Sequence, residues 1–162
     1  MKNPTDVQVF TAASAIGLVA GMRAFLGPSI LGQIARRGGL ELSHSPLGRI
    51  GHPTTAAITT LVSVGELIGD KLPKVPKRTK AVALIPRILS GALCGAVLCA
   101  SKKRSAVMGA CAGALGAAGG TFAAYHLRKL VTESLELPNP AVGVLEDGIA
   151  VGLGVLITKS IT

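Results

Sequence analysis

Residues 105–127 read SAVMGACAGALGAAGGTFAAYHL, a stretch that contains no Asp, Glu, Lys or Arg. A helix needs about 20 residues to cross the hydrocarbon core of a bilayer, with a working range of roughly 17 to 25. The stretch is therefore long enough and apolar enough to predict a transmembrane helix.

Four other apolar stretches have suitable lengths, but each contains one or two charged residues. The chain is 49% hydrophobic and only 15% charged, a composition that excludes a disordered chain and favours membrane helices. We therefore predict an all-α fold, with residues 1–162 forming a single polytopic transmembrane bundle of about five Gly-rich helices, multi-pass in the cell (inner) membrane. The predicted spans are residues 7–35, 53–70, 81–100, 105–127 and 141–158.

The first stretch contains Gly27 and Pro28, where a straight helix is not expected to continue. Proline lacks a backbone N–H, and its ring collides with the preceding helical turn. We expect a kink or break near Gly27 and Pro28, so the stretch is either one tilted span or two half-helices. A broken helix in lipid needs protein or water around its freed backbone groups, which makes this hinge a candidate cavity wall. A proline kink used only for packing is the alternative.

Glycine is the second regular feature, because GxxxG pairs occur in all five stretches. Residues four apart lie about one helical turn apart, so each pair exposes backbone along one stripe and lets a neighbouring helix approach closely. The pattern favours a compact bundle in lipid. The predicted packing glycines are Gly17/Gly21, Gly65/Gly69, Gly91/Gly95, Gly109/Gly113, Gly116/Gly120 and Gly148/Gly152.

The net charge is +9, from 17 Lys and Arg against 8 Asp and Glu. These basic residues cluster between the apolar stretches, as in loops that meet anionic headgroups. With no Trp, 1 Tyr and 3 Phe, the chain lacks the aromatic side chains of a base-stacking surface. We expect membrane lipids, including anionic headgroups, as partners and no nucleic acid, and we leave a homodimer open. The Lys and Arg residues divide almost evenly between the two sides, so the orientation stays open.

Metal and cofactor chemistry finds no support in the sequence. Cys94, Cys99 and Cys111 lie inside apolar stretches without the paired spacing of a zinc site, so we expect free, buried thiols. His44 and His52 lack a third ligand at suitable spacing and are expected in a solvated loop. We therefore predict no metal and no cofactor.

Six ionisable residues lie within or at the edges of the predicted spans. Such residues are costly in lipid and mark function by default. Two positive and four negative charges leave a surplus of two negative charges, which favours an entering proton or cation. In the structural alternative, the arginines bridge carboxylates and fix helix register while the other charges stay hydrated. The six residues are Arg23, Glu66, Asp70, Arg87, Glu146 and Asp147.

The motifs around these charges resemble a known family. They are Gly21-Met22-Arg23-Ala24-Phe25 with Pro28, Glu66-Leu67-Ile68-Gly69-Asp70-Lys71-Leu72-Pro73, Arg87 with Gly91-Ala92, and Leu145-Glu146-Asp147. The chain resembles the bacterial integral membrane protein family catalogued as domain of unknown function 4126. The resemblance implies an integral membrane protein in which the charged motifs matter, and it transfers no substrate.

Two functions follow as hypotheses. The first is a small transporter or channel, linked to protons or cations, that uses the six charged residues. The second is a structural or lipid-organising bundle in which these charges only tie helices together, and a membrane-active pore-forming toxin is a weaker third class. Enzyme chemistry is not favoured, because no nucleophile elbow, HExxH, CxxC or P-loop spacing is present, and no catalytic residue is assigned.

Overall fold

The computed structural model of the protein describes residues 5–42, 45–69, 81–135 and 139–159. Within these ranges all regular secondary structure is helical, which confirms the all-α expectation. The helices are α1 (Asp6–Met22), α2 (Leu26–Arg36), a 3-10 helix (Pro46–Gly51), α3 (Pro53–Gly69), α4 (Ala81–Ser101), α5 (Ala106–Leu135) and α6 (Asn139–Lys159).

Two helices are long and apolar enough to cross a membrane. Among the described residues these segments are Ala83–Ser101 in α4 and Ala106–Val131 in α5. The apolar parts of α1 and α3, Asp6–Met22 and Pro53–Ile68, are shorter. The described residues thus contain two helices that are candidates for membrane spans by length and composition, and a five-span bundle stays a prediction.

The first predicted span is divided into two helices by a break at Arg23, Ala24 and Phe25. Gly27 and Pro28 do not form the break, because they lie in the first turn of α2. In a continuous helix, the ring of Pro28 would collide with the carbonyl group of Ala24, four residues earlier. The helix therefore opens at Ala24, and Pro28 occupies a first-turn position where a missing N–H has little cost.

The centre of the molecule is a three-helix unit formed by α1, α4 and α5. Glycines lie where these helices meet: Gly91 and Gly95 of α4 face the backbone of Gly113 and Gly109 in α5. On a second side of α5, Gly116 and Gly120 face the backbone of Ser14 and Leu18 in α1, and Gly17 and Gly21 of α1 face Gly113 and Ala117. A Cβ atom at any of these glycines would collide with the neighbouring backbone, so the helices approach closely because no side chain separates them.

The glycine pairs of α3 and α6 have a different role. No atom from the described parts of the chain lies within 4 Å of a Cβ built on Gly65, Gly148 or Gly152. Gly69 is the last residue of α3. Among the described residues, the predicted packing glycines of α1, α4 and α5 therefore have a neighbouring helix against them, whereas Gly65, Gly148 and Gly152 do not. A four-residue spacing identifies a stripe of exposed backbone but not whether another helix covers that stripe.

The remaining helices surround this unit. α2 packs against α3 and the 3-10 helix, and α6 packs against α1, α2 and α5. The larger core cluster joins α1, α2, α4 and the 3-10 segment through small and medium side chains such as Ala13, Ile16, Leu31 and Val97.

Cys94 and Cys99 are buried as expected, whereas Cys111 of α5 is exposed, so the expectation of a buried thiol was wrong at that position.

Candidate functional site

The site is built around Arg23, the residue that follows the end of α1. Its backbone is extended, with φ −140° and ψ 113°, and the residue is only 1% exposed. Arg23 Nε donates to Asp147 Oδ1 at 2.7 Å, and Nη2 lies 2.5 Å from the same oxygen. Because Asp147 belongs to α6, this pair connects the break between α1 and α2 to α6.

Glu66 of α3 caps the second half of the broken helix. The backbone N–H groups of Ala24 and Phe25 donate to Glu66 Oε1 at 3.0 Å and Oε2 at 3.1 Å. α2 has no side-chain cap from its own N-terminal residue, so the carboxylate from α3 takes that place. A negative charge there is favourable because the N-terminal end of a helix carries a partial positive charge.

Arg87 of α4 brings a second guanidinium group to this carboxylate. Arg87 Nη2 lies 3.7 Å from Glu66 Oε1, and its Nη1 donates to Ala83 O at 2.9 Å. Arg87 is 5% exposed. Arg23 also reaches the α3 backbone, since its Nη1 lies 3.5 Å from the carbonyl oxygen of Glu66. The three residues therefore hold α1, α3 and α4 together around the break.

Two hydroxyl groups donate hydrogen bonds to carbonyl groups at the break. Ser90 Oγ of α4 donates to the carbonyl oxygen of Ala24. Thr121 Oγ1 of α5 lies 3.0 Å from the carbonyl oxygen of Gly21 and 2.9 Å from that of Ala117. The carbonyl groups of Gly21 and Ala24, which the break frees, thus accept hydrogen bonds from the protein. Neither hydroxyl was predicted from the sequence, although each is adjacent in sequence to a packing glycine, Gly91 or Gly120.

A smaller polar contact joins α2 to α3 at a distance from the break. Ser29 Oγ lies 3.0 Å from Thr60 Oγ1, and Gln33 Nε2 donates to the same Thr60 oxygen at 3.1 Å. Ser29 and Gln33 are four residues apart and so lie on one face of α2. These contacts orient the face of α2 toward α3 and help to hold the N-terminus of α2 against Glu66.

A cavity of about 410 Å³ opens beside the charged residues. It lies between the start of α2, the second half of α3 and the first half of α4. Glu66 and Arg87 form its charged wall, and most of the remaining lining is apolar, including Phe25, Val62 and Pro86. No three or more His, Cys, Asp and Glu side chains come together as a metal site in the ranges covered by the structure.

The six predicted site residues have different outcomes. Arg23, Glu66, Arg87 and Asp147 meet at the break through the contacts given above. Glu146, beside Asp147 in α6, is 5% exposed. Asp70 lies outside the described residues. We name the four that meet, together with Glu146, the charged cluster.

Comparison with known proteins gives a family for this arrangement. Residues 10–160 match the family described as Domain of unknown function (DUF4126). The chain belongs to this family. All members of the charged cluster lie inside the region of the DUF4126 match, so the resemblance seen in the sequence motifs is confirmed. No curated protein and no solved structure matches this DUF4126 chain.

Proposed function

We propose that the chain is an integral membrane protein whose helices form a multi-pass bundle in the cell (inner) membrane. The observation that carries this proposal is the distribution of polarity. Leu61 and Leu115 are 73% and 75% exposed, while Arg23 and Glu146 are 1% and 5% exposed. Exposed leucines are unfavourable in water, at roughly 25 cal/mol for each Å² of apolar surface, and neutral in lipid. The two helices of sufficient length, α4 and α5, support the same conclusion.

Within this bundle, the proposed activity is transport or conduction linked to a proton or cation at the charged cluster. Arg23 and Arg87 supply two positive charges, whereas Glu66, Glu146 and Asp147 supply three negative charges. Carboxylates in a low-dielectric bundle bind a proton more readily than carboxylates in water, and they attract cations. The cavity at Glu66 gives an exchangeable ion a route to the cluster.

Flux measurements in reconstituted vesicles test this activity. Glu66→Gln keeps the size of the side chain and removes its charge, so we expect proton- or cation-dependent flux to fall by about tenfold or more. Glu41→Gln is the matched control because Glu41 is an exposed carboxylate outside the cluster, and it should transport like the wild type. Unchanged flux in folded Glu66→Gln protein would remove Glu66 from the mechanism.

The second candidate is a structural or lipid-organising bundle. The pair of Arg23 and Asp147 favours it, because both side chains are mostly buried and the pair bridges distant parts of the chain. On this alternative, wild-type vesicles show no more flux than empty vesicles for any ion. Glu66→Gln then lowers only the thermal stability in detergent, since an amide group accepts one backbone N–H but repels the other.

A further inference from the structure

The cavity beside the charged cluster is lined mostly by apolar groups. Phe25, Val62 and Pro86 supply apolar side chains, and Gly65 supplies bare backbone. The volume of about 410 Å³ is in the range of sites that enclose small organic molecules. The lining predicts a ligand whose body is apolar, because a polar body would lose its hydrogen-bond partners against these walls.

The cavity lies where α3 and α4 are held apart. Over the described residues, α3 packs mainly on α2 and the 3-10 helix, and the pair of Glu66 and Arg87 bridges the distance to α4. No atom of the described chain lies within 4 Å of a Cβ built on Gly65, which lines the cavity. Space for a ligand therefore exists beside Gly65 without the displacement of any described group.

The two charged residues of the lining compensate each other. Glu66 and Arg87 are one acid and one base, and Arg87 Nη2 lies 3.7 Å from Glu66 Oε1. A resident ligand with a net charge of either sign would bring an additional charge into a mostly apolar space whose own charges already face each other. Burying such a charge is costly. The lining therefore favours an uncharged ligand.

The Glu66 carboxylate can accept one more hydrogen bond from the cavity. A carboxylate has about four lone-pair positions on its two oxygens. The N–H of Ala24 takes one position on Oε1, the N–H of Phe25 takes one on Oε2, and Arg87 lies on the Oε1 side. The Glu66 side chain is 15% exposed, so the carboxylate is accessible. Oε2 is therefore the oxygen that a hydrogen-bond donor on a ligand would meet.

We propose that this cavity binds an uncharged molecule with an aromatic body and a single hydroxyl group, the chemistry of a phenol. The hydroxyl donates to Glu66 Oε2, and the ring packs on Phe25, because aromatic pairs gain more than their buried area alone provides. The site goes beyond the proposed transport and does not depend on it. A ligand held there occupies the approach to Glu66, so it blocks any ion that uses this route.

Binding of 2-naphthol to the full chain in lipid nanodiscs tests the site, with empty nanodiscs as the measure of partition into lipid. The chain contains no Trp, so the fluorescence of the naphthol is read against little protein emission. We expect saturable binding. The ether 2-methoxynaphthalene lacks the donor and should bind about tenfold more weakly. The anion 2-naphthoate and the cation 2-naphthylmethylammonium should not bind saturably.

Variants of the lining assign the binding to this cavity. Glu66→Gln replaces the charged acceptor with a neutral one, so the preference for 2-naphthol over its ether should shrink. Phe25→Ala should weaken 2-naphthol binding several-fold. Gly65→Leu fills the cavity from an uncrowded position and should abolish saturable binding, which keeps the proposal testable if Glu66→Gln fails to fold. Gly119→Leu is its matched control, because Gly119 is also exposed and uncrowded but lies on α5 and is not a lining residue.

Three results would overturn the proposal. One is equal 2-naphthol binding by wild-type, Gly65→Leu and Gly119→Leu protein, which would place the probe outside the cavity. Another is equal binding of 2-naphthol and its ether, which would make the cavity a site for the acyl chains of lipids. The third is saturable binding of the anion or the cation that is as strong as that of 2-naphthol.

The flux assay separates this inference from the proposed function. Saturable 2-naphthol binding without any flux supports the site and removes the transport activity. Proton- or cation-dependent flux without saturable 2-naphthol binding supports transport and overturns the site. Saturable binding, together with flux that 2-naphthol inhibits and the same concentration of 2-methoxynaphthalene does not, supports both.

Discussion

Two residues that follow helix ends have a positive φ angle, and one of them is not a glycine. α2 and α4 end in the same hydrogen-bond pattern, in which a residue in the left-handed region follows the helix. After α2 this residue is Gly38, at φ 78°, and after α4 it is Lys103, at φ 56°. Gly39 N donates to Ile34 O, and Arg104 N donates to Cys99 O. Glycine adopts this conformation without a steric cost, whereas lysine does not.

The two ends therefore predict opposite responses to substitution. Lys103→Gly should raise the free energy of unfolding by up to about 1 kcal/mol, and Gly38→Ala should lower it by about 1 kcal/mol. Thermal unfolding in detergent, followed by circular dichroism, measures both. Lys103→Ala removes the same charge as Lys103→Gly but keeps the strained backbone, so it should give no stabilisation. A Lys103→Ala variant as stable as Lys103→Gly would assign the effect to charge.

The contacts of the charged residues cannot be deduced from local sequence, because their partners are far away in the chain. The amino-acid sequence alone points to all five members of the charged cluster, since each is an ionisable residue within a predicted span. Which of them meet could not be deduced, since Arg23 and Asp147 are separated by 124 positions. The helix-capping role of Glu66 was also hidden, because a cap from another helix leaves no local sequence motif. Only the fold brings such residues together.

At the scale of the helix, α5 is the element on which the bundle depends. It uses one face for α4 and another for α1, and glycines lie at both contacts. Gly113 belongs to both, since it faces Gly91 of α4 and lies against Gly17 of α1. The sequence predicted close packing from the glycine spacing alone. It could not separate the covered stripes of α5 from the uncovered stripe of α6, because coverage depends on tertiary arrangement.

This difference predicts the effects of two identical substitutions in α5. Gly113→Ala should destabilise the protein by about 1–3 kcal/mol, because the added methyl group meets backbone that has no room to move aside. Gly119→Ala adds the same methyl group in open space and should stabilise by up to about 1 kcal/mol through helix propensity. Detergent unfolding of both variants measures the difference. Equal stability of the two would show that α5 is not closely packed at Gly113.

The position of the helix break is also determined at the scale of the helix, by the proline that follows the break in the sequence. The sequence predicted a break near Gly27 and Pro28, and the structure has it at Arg23–Phe25. The proline rule itself gives the observed position when it is applied four residues upstream, at the carbonyl group of Ala24. That carbonyl accepts the hydroxyl of Ser90 in place of a helical N–H. The breaking residue and the broken bond are thus one helical turn apart.

At the scale of the whole molecule, the distribution of polar and apolar residues in the proposed membrane bundle is the opposite of that in a soluble protein. Its outer surface presents large apolar side chains such as Leu89, Leu115 and Leu156, and its interior contains small residues and the charged cluster. Few aromatic residues are needed in such a core, because the helices meet backbone to backbone rather than through large side chains. Backbone-to-backbone packing therefore accounts both for the glycine contacts and for the scarcity of aromatic residues in the sequence.

The three thiols give a test of this arrangement. Cys94 and Cys99 are 0% exposed, whereas Cys111 faces outward from α5. In folded, detergent-solubilised protein, a small uncharged maleimide should label Cys111 and leave Cys94 and Cys99 unmodified. In sealed vesicles, a charged, membrane-impermeant reagent should label none of them. Mass spectrometry locates the label, and Cys111→Ser serves as the control. Labelling of Cys111 by the charged reagent in sealed vesicles would contradict a lipid-facing position.

The broken helix also constrains the order in which the molecule is assembled during synthesis. The groups that complete the break near the start of the chain come from Glu66, Ser90, Thr121 and Asp147. A ribosome makes Glu66 43 positions after Arg23, and it makes Asp147 124 positions after Arg23. The break is therefore completed only after α6 has been made, and Arg23 lacks its contact with Asp147 until then.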